Sequence, residues 1–148
     1  MLFILLDDLR WDALGYAGHP HVRTPQIDRI ANEGVNFRNA FATTSLCSPS
    51  RASLLSGTYA HRHGVTNNFT ELPAGLATFP KVLHQSGYAT AYVGKYMNKF
   101  DAESEVSPGW DSFQVPVRGV YHYLAQEQTS VDGRLTDVSG IVMRDILA

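Results

Sequence analysis

Three short clusters in this chain have the residue types of reactive or ligand-binding groups. Cys47-Ser48-Pro49-Ser50-Arg51 separates a thiol from a guanidinium by about one helical turn, so both side chains can address one ligand. Asp7-Asp8 offers adjacent carboxylates, which are hard oxygen ligands suited to Ca²⁺ or Mg²⁺. Gly94-Lys95 adds a second cation. Each cluster also has a plainer interpretation, since a lone cysteine is usually a small buried hydrophobe and an acidic pair can simply end a strand.

The elements predicted around these clusters place each one at a strand end or a helix start. Leu2–Leu6 is continuously apolar, as a buried parallel strand requires, and it ends at Asp7-Asp8. Pro49–Ser56, stopped by Gly57, is predicted as a helix with Cys47-Ser48 at its entrance. Tyr88–Val93 is predicted as a strand that leads into Gly94-Lys95. Because ligands collect at the carboxyl ends of strands in open α/β sheets, we expect the clusters to share one edge.

The rest of the chain alternates between helical and strand-like patterns, which predicts an α/β fold with a mostly parallel sheet flanked by helices. The other predicted elements are a helix that begins at Thr24-Pro25 and ends at a left-handed Gly34, a strand over Val35–Phe41, a helix over Phe79–Gln85 closed by Gly87, an extended loop over Asp101–Gly119, and a final helix carrying Leu135, Val138, Val142 and Ile146.

Composition excludes several classes of protein. The 148 residues are 44% hydrophobic and 18% charged, which suits one ordinary domain with a core and not a disordered tail. A formal net charge of −2 predicts no nucleic-acid binding, and the longest apolar run, Met1–Leu6, is too short to span a membrane. The single cysteine, Cys47, excludes an internal disulfide framework and a cysteine-rich zinc site.

Two histidine pairs, His19/His21 and His61/His63, could be considered as metal ligands. Spacing of i,i+2 in loops is common by chance, however, and no further ligand is apparent, so structural or surface roles are predicted. His61 and His63 follow the Cys47 helix closely and are kept as candidate substrate contacts.

At this point the motifs resemble those of a known family. Cys47–Gly57 resembles the type I sulfatase signature, C-x-P-S-R followed by a helix of small residues and leucines and then glycine. Leu2–Asp8 resembles that family's first strand with its metal-binding acid pair, and Thr24–Asp28 resembles its T-P-N-[LI]-D helix start. Gly87–Lys95 resembles the G-Y-x-T…G-K strand that delivers a sulfate-binding lysine. The resemblance implies that residues 1–148 are the N-terminal portion of a sulfatase catalytic domain with an alkaline-phosphatase-like fold.

The resemblance also implies a mechanism. A formylglycine-generating or sulfatase-maturing enzyme would convert Cys47 to Cα-formylglycine. One hydroxyl of the hydrated aldehyde would attack sulfur and expel the alcohol, and the second would lose a proton as sulfate departs. Asp7, Asp8 and Cys47 would hold Ca²⁺, with Mg²⁺ as the alternative, while Arg51 and Lys95 would bind sulfate and neutralise its charge.

Further segments indicate a subgroup. Gly94–Asn98, Pro108-Gly109-Trp110 and Val131-Asp132 with Leu135-Thr136-Asp137 resemble sulfatases that act on N-acetylglucosamine-6-sulfate or heparan-type sugars. This implies a sulfated carbohydrate substrate and makes Asn98 a candidate substrate-binding residue. Met97 stands where many arylsulfatases carry a histidine, which argues against aryl-ester specificity.

The family completes its metal site with a distant D-N or D-H pair, for which the sequence shows no counterpart, so the isolated chain is expected to be truncated and inactive. Two alternatives stay open: a phosphoester or phosphonate hydrolase of the same superfamily, and a non-catalytic fragment that binds sulfated glycans. Relatives are usually secreted, periplasmic or lysosomal, and no signal peptide is visible here, so the compartment stays open.

Overall fold

The computed structural model describes residues 1–100, 107–116 and 128–137. A 3₁₀ turn spans Gly15–Ala17, and the chain divides into two compact units, Met1–Ala42 and Thr43–Ala148. No helix among the described residues combines the length and apolar character needed to cross a membrane. The elements in chain order are helices α1 (Pro25–Glu33), α2 (Cys47–Ser56), α3 (Ala60–His63) and α4 (Phe79–Gln85), then strands β1 (Ala91–Val93), β2 (Ser112–Pro116), β3 (Gln128–Val131) and β4 (Arg134–Asp137).

The first unit is organised around the start of α1, which the sequence predicts correctly. Pro25 suits the first helical position because its φ is already fixed near the helical value. The Thr24 hydroxyl accepts a hydrogen bond from the Gly15 N–H at 2.9 Å and donates to Asp28 Oδ1 at 2.7 Å. The same carboxylate oxygen accepts from the Tyr16 N–H at 2.8 Å, so α1 and the preceding turn are tied together.

Three predictions for the first unit are wrong. Neither Leu2–Leu6 nor Val35–Phe41 forms a strand, and the side chains of Leu2 and Ile4 are 84% and 69% exposed. A strand requires a paired neighbour, and no strand is assigned within residues 1–42. Gly34 ends α1 with a φ of −110°, which is not left-handed, while its N–H donates to the Ile30 carbonyl at 2.9 Å.

The second unit contains a four-stranded sheet in the order β1-β2-β3-β4. β1 and β2 are parallel, with Ala91 opposite Ser112, whereas β2–β3 and β3–β4 are antiparallel. The α/β character is therefore as predicted, but the sheet in the described part of the chain is mixed rather than mostly parallel. The parallel pair includes β1, the strand that leads into Gly94-Lys95.

Two predicted elements are replaced by strands. β2 lies inside the predicted loop Asp101–Gly119, and Leu135 lies in β4 rather than in a helix. Asp132 and Gly133 adopt φ values of 50° and 78°, as the two central residues of a tight turn between antiparallel strands do. The turn, and not the helical spacing of apolar residues, decides the local structure. Val138, Val142 and Ile146 lie outside the described residues.

The core of the second unit lies between α2 and the sheet. Inward-facing residues alternate along β2, where Phe113 and Val115 are almost fully buried. Ala52 and Leu55 of α2 belong to the same buried cluster, so the helix that begins at Cys47 shares its core with the sheet. The buried apolar residues of this cluster are Ala52, Leu55, Val65, Tyr96, Met97, Phe113 and Val115.

Candidate active site

Cys47 is the first residue of α2, two residues earlier than the predicted start at Pro49. Its thiol is free and its side chain is half-buried. Pro49 is tolerated because the first turn of a helix needs no N–H donor from it. The helix ends as predicted, since Gly57 adopts a left-handed φ of 66° and donates its N–H to the Ser53 carbonyl at 2.8 Å. Cys47 therefore lies at the positive end of the helix.

The residue after Cys47 is held from two loops. The Ser48 N–H donates to Asn68 Oδ1 at 3.0 Å, which satisfies one of the N–H groups that a helix start leaves without an internal partner. The Ser48 hydroxyl donates to Asn98 Oδ1 at 3.0 Å and accepts from the Asn98 N–H at 2.9 Å. These contacts fix the first turn of α2 against the segment that follows Lys95.

Arg51 lies one turn beyond Cys47 and is 6% exposed. Its Nη1 donates to the Lys95 backbone carbonyl and, at 3.2 Å, to the Tyr92 hydroxyl. The Tyr92 hydroxyl also donates to the Lys95 carbonyl. The second unit thus brings the Cys47 helix and the Lys95 segment together, as expected from the placement of the Lys95 cluster at a strand end.

Lys95 follows β1, which is shorter than the predicted strand Tyr88–Val93. Gly94 adopts a φ of 109° and donates its N–H to the Gln114 carbonyl at 2.9 Å, so the chain turns directly after the strand. Before the strand, the Thr90 N–H donates to Asp111 Oδ2 at 2.7 Å. Hydrogen bonds from Thr90 are the main reason that the pKa of Asp111 lies below its ordinary value.

The two histidines of α3 have different surroundings. His63 is 2% exposed, its Nδ1 accepts from the Val65 N–H at 3.1 Å, and its Nε2 lies 3.0 Å from Ser53 Oγ. Because Nδ1 accepts, Nε2 carries the proton and donates to Ser53. Burial, and secondarily the charge of His61, lowers the pKa of His63. His61 is exposed and stacks on Tyr59 with a ring separation of 5.9 Å.

In the first unit, Asp7 is half-buried and Asp8 is exposed within a turn that follows the apolar run. Asp8 adopts a left-handed φ of 52°, which is uncommon outside glycine and is tolerated best by Asp, Asn and His. Backbone conformations of this kind cluster at functional sites. Carboxylate oxygens are the donors that Ca²⁺ and Mg²⁺ prefer, so the chemistry of this pair fits a hard divalent cation.

The remaining pair, His19 and His21, lies in a turn of the first unit. The Nδ1 of His19 accepts from the N–H groups of His21 and Val22 at 3.2 and 3.0 Å. This ring nitrogen is therefore used by the backbone, which agrees with the structural role predicted for the pair.

Two residues that contact this region have only weak sequence signals. Asn68 is visible in the sequence as the first residue of an Asn-Phe-Thr glycosylation motif, which says nothing about its contact with the Ser48 N–H. Tyr92 has the appearance of an ordinary strand aromatic, and its contacts with Arg51 and Lys95 depend on how α2 packs beside β1.

The chain is similar in sequence to a known sulfatase. The N-acetylglucosamine-6-O-sulfatase of Bacteroides thetaiotaomicron is 42% identical over 96 residues, which are 65% of this chain and 17% of that protein. The chain thus spans less than a fifth of the length of this relative.

Solved structures show the same fold. A protein in complex with its substrate D-glucosamine-2-N,6-O-disulfate superimposes with a TM-score of 0.79 at 33% identity, covering 91% of this chain and 26% of that one. The phosphonate monoester hydrolase of Agrobacterium radiobacter gives 0.60 at 29% identity, covering 78% and 25%. These matches confirm the alkaline-phosphatase-like α/β fold. A family model described as Sulfatase matches residues 1–136, and this chain therefore belongs to the sulfatase family.

Proposed function

We propose that this chain is the N-terminal part of a sulfatase catalytic domain that releases sulfate from a sulfated sugar of the N-acetylglucosamine-6-sulfate type. One contact carries the proposal: Arg51, one turn after Cys47, donates to the backbone carbonyl of Lys95. This contact ties the backbone of Lys95 to the helix that begins at the half-buried thiol of Cys47, within one unit. The similarity to an N-acetylglucosamine-6-O-sulfatase supports the choice of sugar.

In this proposal Cys47 is converted to Cα-formylglycine, which supplies a hydrated aldehyde as nucleophile. Arg51 and Lys95 hold the sulfate group and neutralise the negative charge that develops during transfer. Arg51 suits this role because its guanidinium is always charged and presents a planar fork of donors. Its burial keeps water away from the charge and so strengthens the interaction with an anion.

Three further residues receive roles around the sugar. We assign substrate contacts to Asn98, which follows Lys95 closely, and to the exposed ring of His61. His63 is proposed to support this region from inside, because its ring nitrogens bind Ser53 and the backbone of Val65.

For the divalent cation we propose Asp7 and Asp8 as ligands, and the family pattern adds the modified Cys47 to this set. When bound, Ca²⁺ or Mg²⁺ would polarise a sulfate oxygen. The two carboxylates provide the negative charge that binds such a cation. The left-handed backbone of Asp8 supports a functional role for this turn.

The test is to express the complete polypeptide that carries this chain together with a formylglycine-generating enzyme. We expect the aldehyde form of the Cys47 peptide to be about 18 Da lighter than the cysteine form and to react with a hydroxylamine probe. We also expect sulfate release from N-acetylglucosamine-6-sulfate, abolished in Cys47→Ala, and no release by the 148-residue chain alone. An intact thiol together with glycan binding but no turnover would favour a non-catalytic function.

A second candidate is a phosphonate or phosphate ester hydrolase, and the similarity to the phosphonate monoester hydrolase favours it. Sulfate and phosphate esters share a tetrahedral geometry that the same cations can bind. Comparing kcat/KM for a matched sulfate ester and phosphonate ester separates the two. We expect the sulfate ester to be the better substrate, and the reverse order would support this second candidate.

A further inference from the structure

The hydroxyl of Tyr92 lies between the guanidinium of Arg51 and the backbone carbonyl of Lys95. It accepts a hydrogen bond from Arg51 Nη1 at 3.2 Å and donates one to the Lys95 carbonyl, to which Arg51 Nη1 also donates. A phenol hydroxyl has one proton, which goes to Lys95, and lone pairs that can accept from Arg51. The carbonyl has two lone pairs and accepts both donors, so the three groups form a closed and chemically consistent ring.

The ring of Tyr92 is itself held in place. It packs edge-on against Tyr96, with a centroid separation of 5.2 Å, and tilts against Trp110 and Phe113 at 5.2 and 5.6 Å. Phe113 is fully buried in β2, the strand that pairs with the strand carrying Tyr92. The hydroxyl is therefore attached to a rigid aromatic cluster, and its position is set by the sheet.

We infer that Tyr92 is a positioning residue, which fixes the spacing of Arg51 and Lys95 for a tetrahedral sulfuryl group. This inference rests on the proposed function, because it assigns the two cations to one anion. Donors that are already in place do not have to reorganise as charge develops, and a misplacement of about 1 Å can cost about a hundredfold in rate. In this inference Tyr92 acts through its contacts with Arg51 and the Lys95 carbonyl.

The test uses Tyr92→Phe in the complete, formylglycine-containing polypeptide, with Tyr96→Phe as the matched control. Tyr96 lies in the same aromatic cluster and its hydroxyl bonds Ser107 Oγ at 2.7 Å, so the control removes a buried hydroxyl that bonds a different partner. We expect Tyr92→Phe to lower kcat/KM about tenfold to a hundredfold. Tyr96→Phe should stay within about twofold of the parent.

A double-mutant cycle separates positioning from general loosening of the fold. If Tyr92 acts through Arg51, then Tyr92→Phe should change kcat/KM less than about threefold once Arg51→Ala is present. Additive effects of the two substitutions, or near-parental activity of Tyr92→Phe, would overturn the inference.

The result also separates this inference from the proposed function. If the parent hydrolyses a phosphonate ester but no sulfate ester, the proposed function fails, and the same cycle on the phosphonate ester still decides the role of Tyr92. If the parent turns over neither ester, the Kd of inorganic sulfate replaces kcat/KM in the cycle. Absence of sulfate binding by the parent would overturn the inference, because the two cations would then hold no anion.

Discussion

Ser48 and Asn98 hold each other through a reciprocal pair of hydrogen bonds. The Asn98 N–H donates to Ser48 Oγ at 2.9 Å, and the same hydroxyl donates to Asn98 Oδ1 at 3.0 Å. Ser48 is fully buried and follows Cys47 directly, whereas Asn98 lies three residues after Lys95. One hydroxyl therefore joins the start of α2 to the end of the lysine segment.

Replacing this hydroxyl should destabilise the fold. Ser48→Ala removes a buried partner from both the backbone and the side chain of Asn98, so we expect the free energy of unfolding to fall by about 1–3 kcal/mol. Ser50→Ala, a half-buried serine in the same helix, is the control and should stay within about 0.5 kcal/mol. Urea unfolding measures the free energy of unfolding of both variants. An equal loss in Ser48→Ala and Ser50→Ala would show that the Ser48–Asn98 hydrogen bonds do not stabilise the fold.

Asn68 should behave as a helix cap supplied by a distant loop. Its Oδ1 accepts from the Ser48 N–H, so Asn68→Ala should cost about 0.5–2 kcal/mol in urea unfolding. Asn68→Asp keeps an acceptor oxygen at that position and adds a negative charge near the helix start, which should preserve stability. If Asn68→Asp destabilises the fold as much as Asn68→Ala does, then the amide nitrogen of Asn68, and not its capping oxygen, is the group that stabilises the fold.

Arg51 should matter to turnover more than any exposed arginine. Arg51→Ala in the complete enzyme should lower kcat at least about a hundredfold, because it removes a fixed cation from the transferring group. Arg51→Lys keeps the charge but not the fork of donors that binds Tyr92 and Lys95, so partial activity is expected. Arg62→Ala, at an exposed position of α3, is the control and should leave kcat nearly unchanged. If Arg51→Ala keeps a kcat close to that of the parent, then Arg51 does not stabilise the transferring group.

Helices α1, α2 and α4 could be predicted from the sequence because their signals are local, whereas the four-residue α3 was not predicted. Pro25 at the first helical position, Gly57 after the last turn of α2 and the apolar spacing in Phe79–Gln85 each act within a few residues. The approach of the helix that carries Arg51 to the Lys95 segment could be expected from the strand end before Lys95, although the hydrogen bonds between them could not.

The strands were harder to predict because pairing is not local. The apolar run Leu2–Leu6 has strand composition but no strand partner within its unit, and Leu135 has helical spacing but pairs with Ser130 across a hairpin. The local signal for a hairpin at Leu135 is Asp132-Gly133, a dipeptide suited to a two-residue turn. Asp132 also accepts from the Phe113 N–H at 2.5 Å, a contact that only the folded sheet creates.

His63 should make stability depend on pH. Its pKa in the folded chain lies below the ordinary value of 6.5, so the unfolded chain binds the proton more readily. Stability is therefore fully present above about pH 6.5 and falls as the pH drops below it, because a proton on Nδ1 would displace the Val65 N–H. The midpoint of urea unfolding should decrease between about pH 7.5 and 5.5, and this decrease should be smaller in His63→Gln.

The neighbouring histidine is the control for this pH effect. His61→Gln should retain most of the decrease, since burial of His63 is its main cause and the charge of His61 is the smaller one. If His63→Gln and His61→Gln reduce the decrease equally, then the buried ring is not its source.

Gly109 should tolerate no side chain, because it lies against the backbone of α4. A Cβ there would approach the Lys81 nitrogen to 2.6 Å and the Lys81 Cα to 2.8 Å, and the φ of 99° disfavours any other residue. Backbone atoms cannot move aside as a flexible side chain can, so Gly109→Ala should destabilise by about 2 kcal/mol or more. Gly75→Ala is the control: a Cβ there meets nothing within 4 Å, and the substitution should be neutral or stabilise by up to about 1 kcal/mol. A loss at Gly109 no larger than that at Gly75 would mean that the segment carrying Pro108-Gly109-Trp110 does not pack on α4.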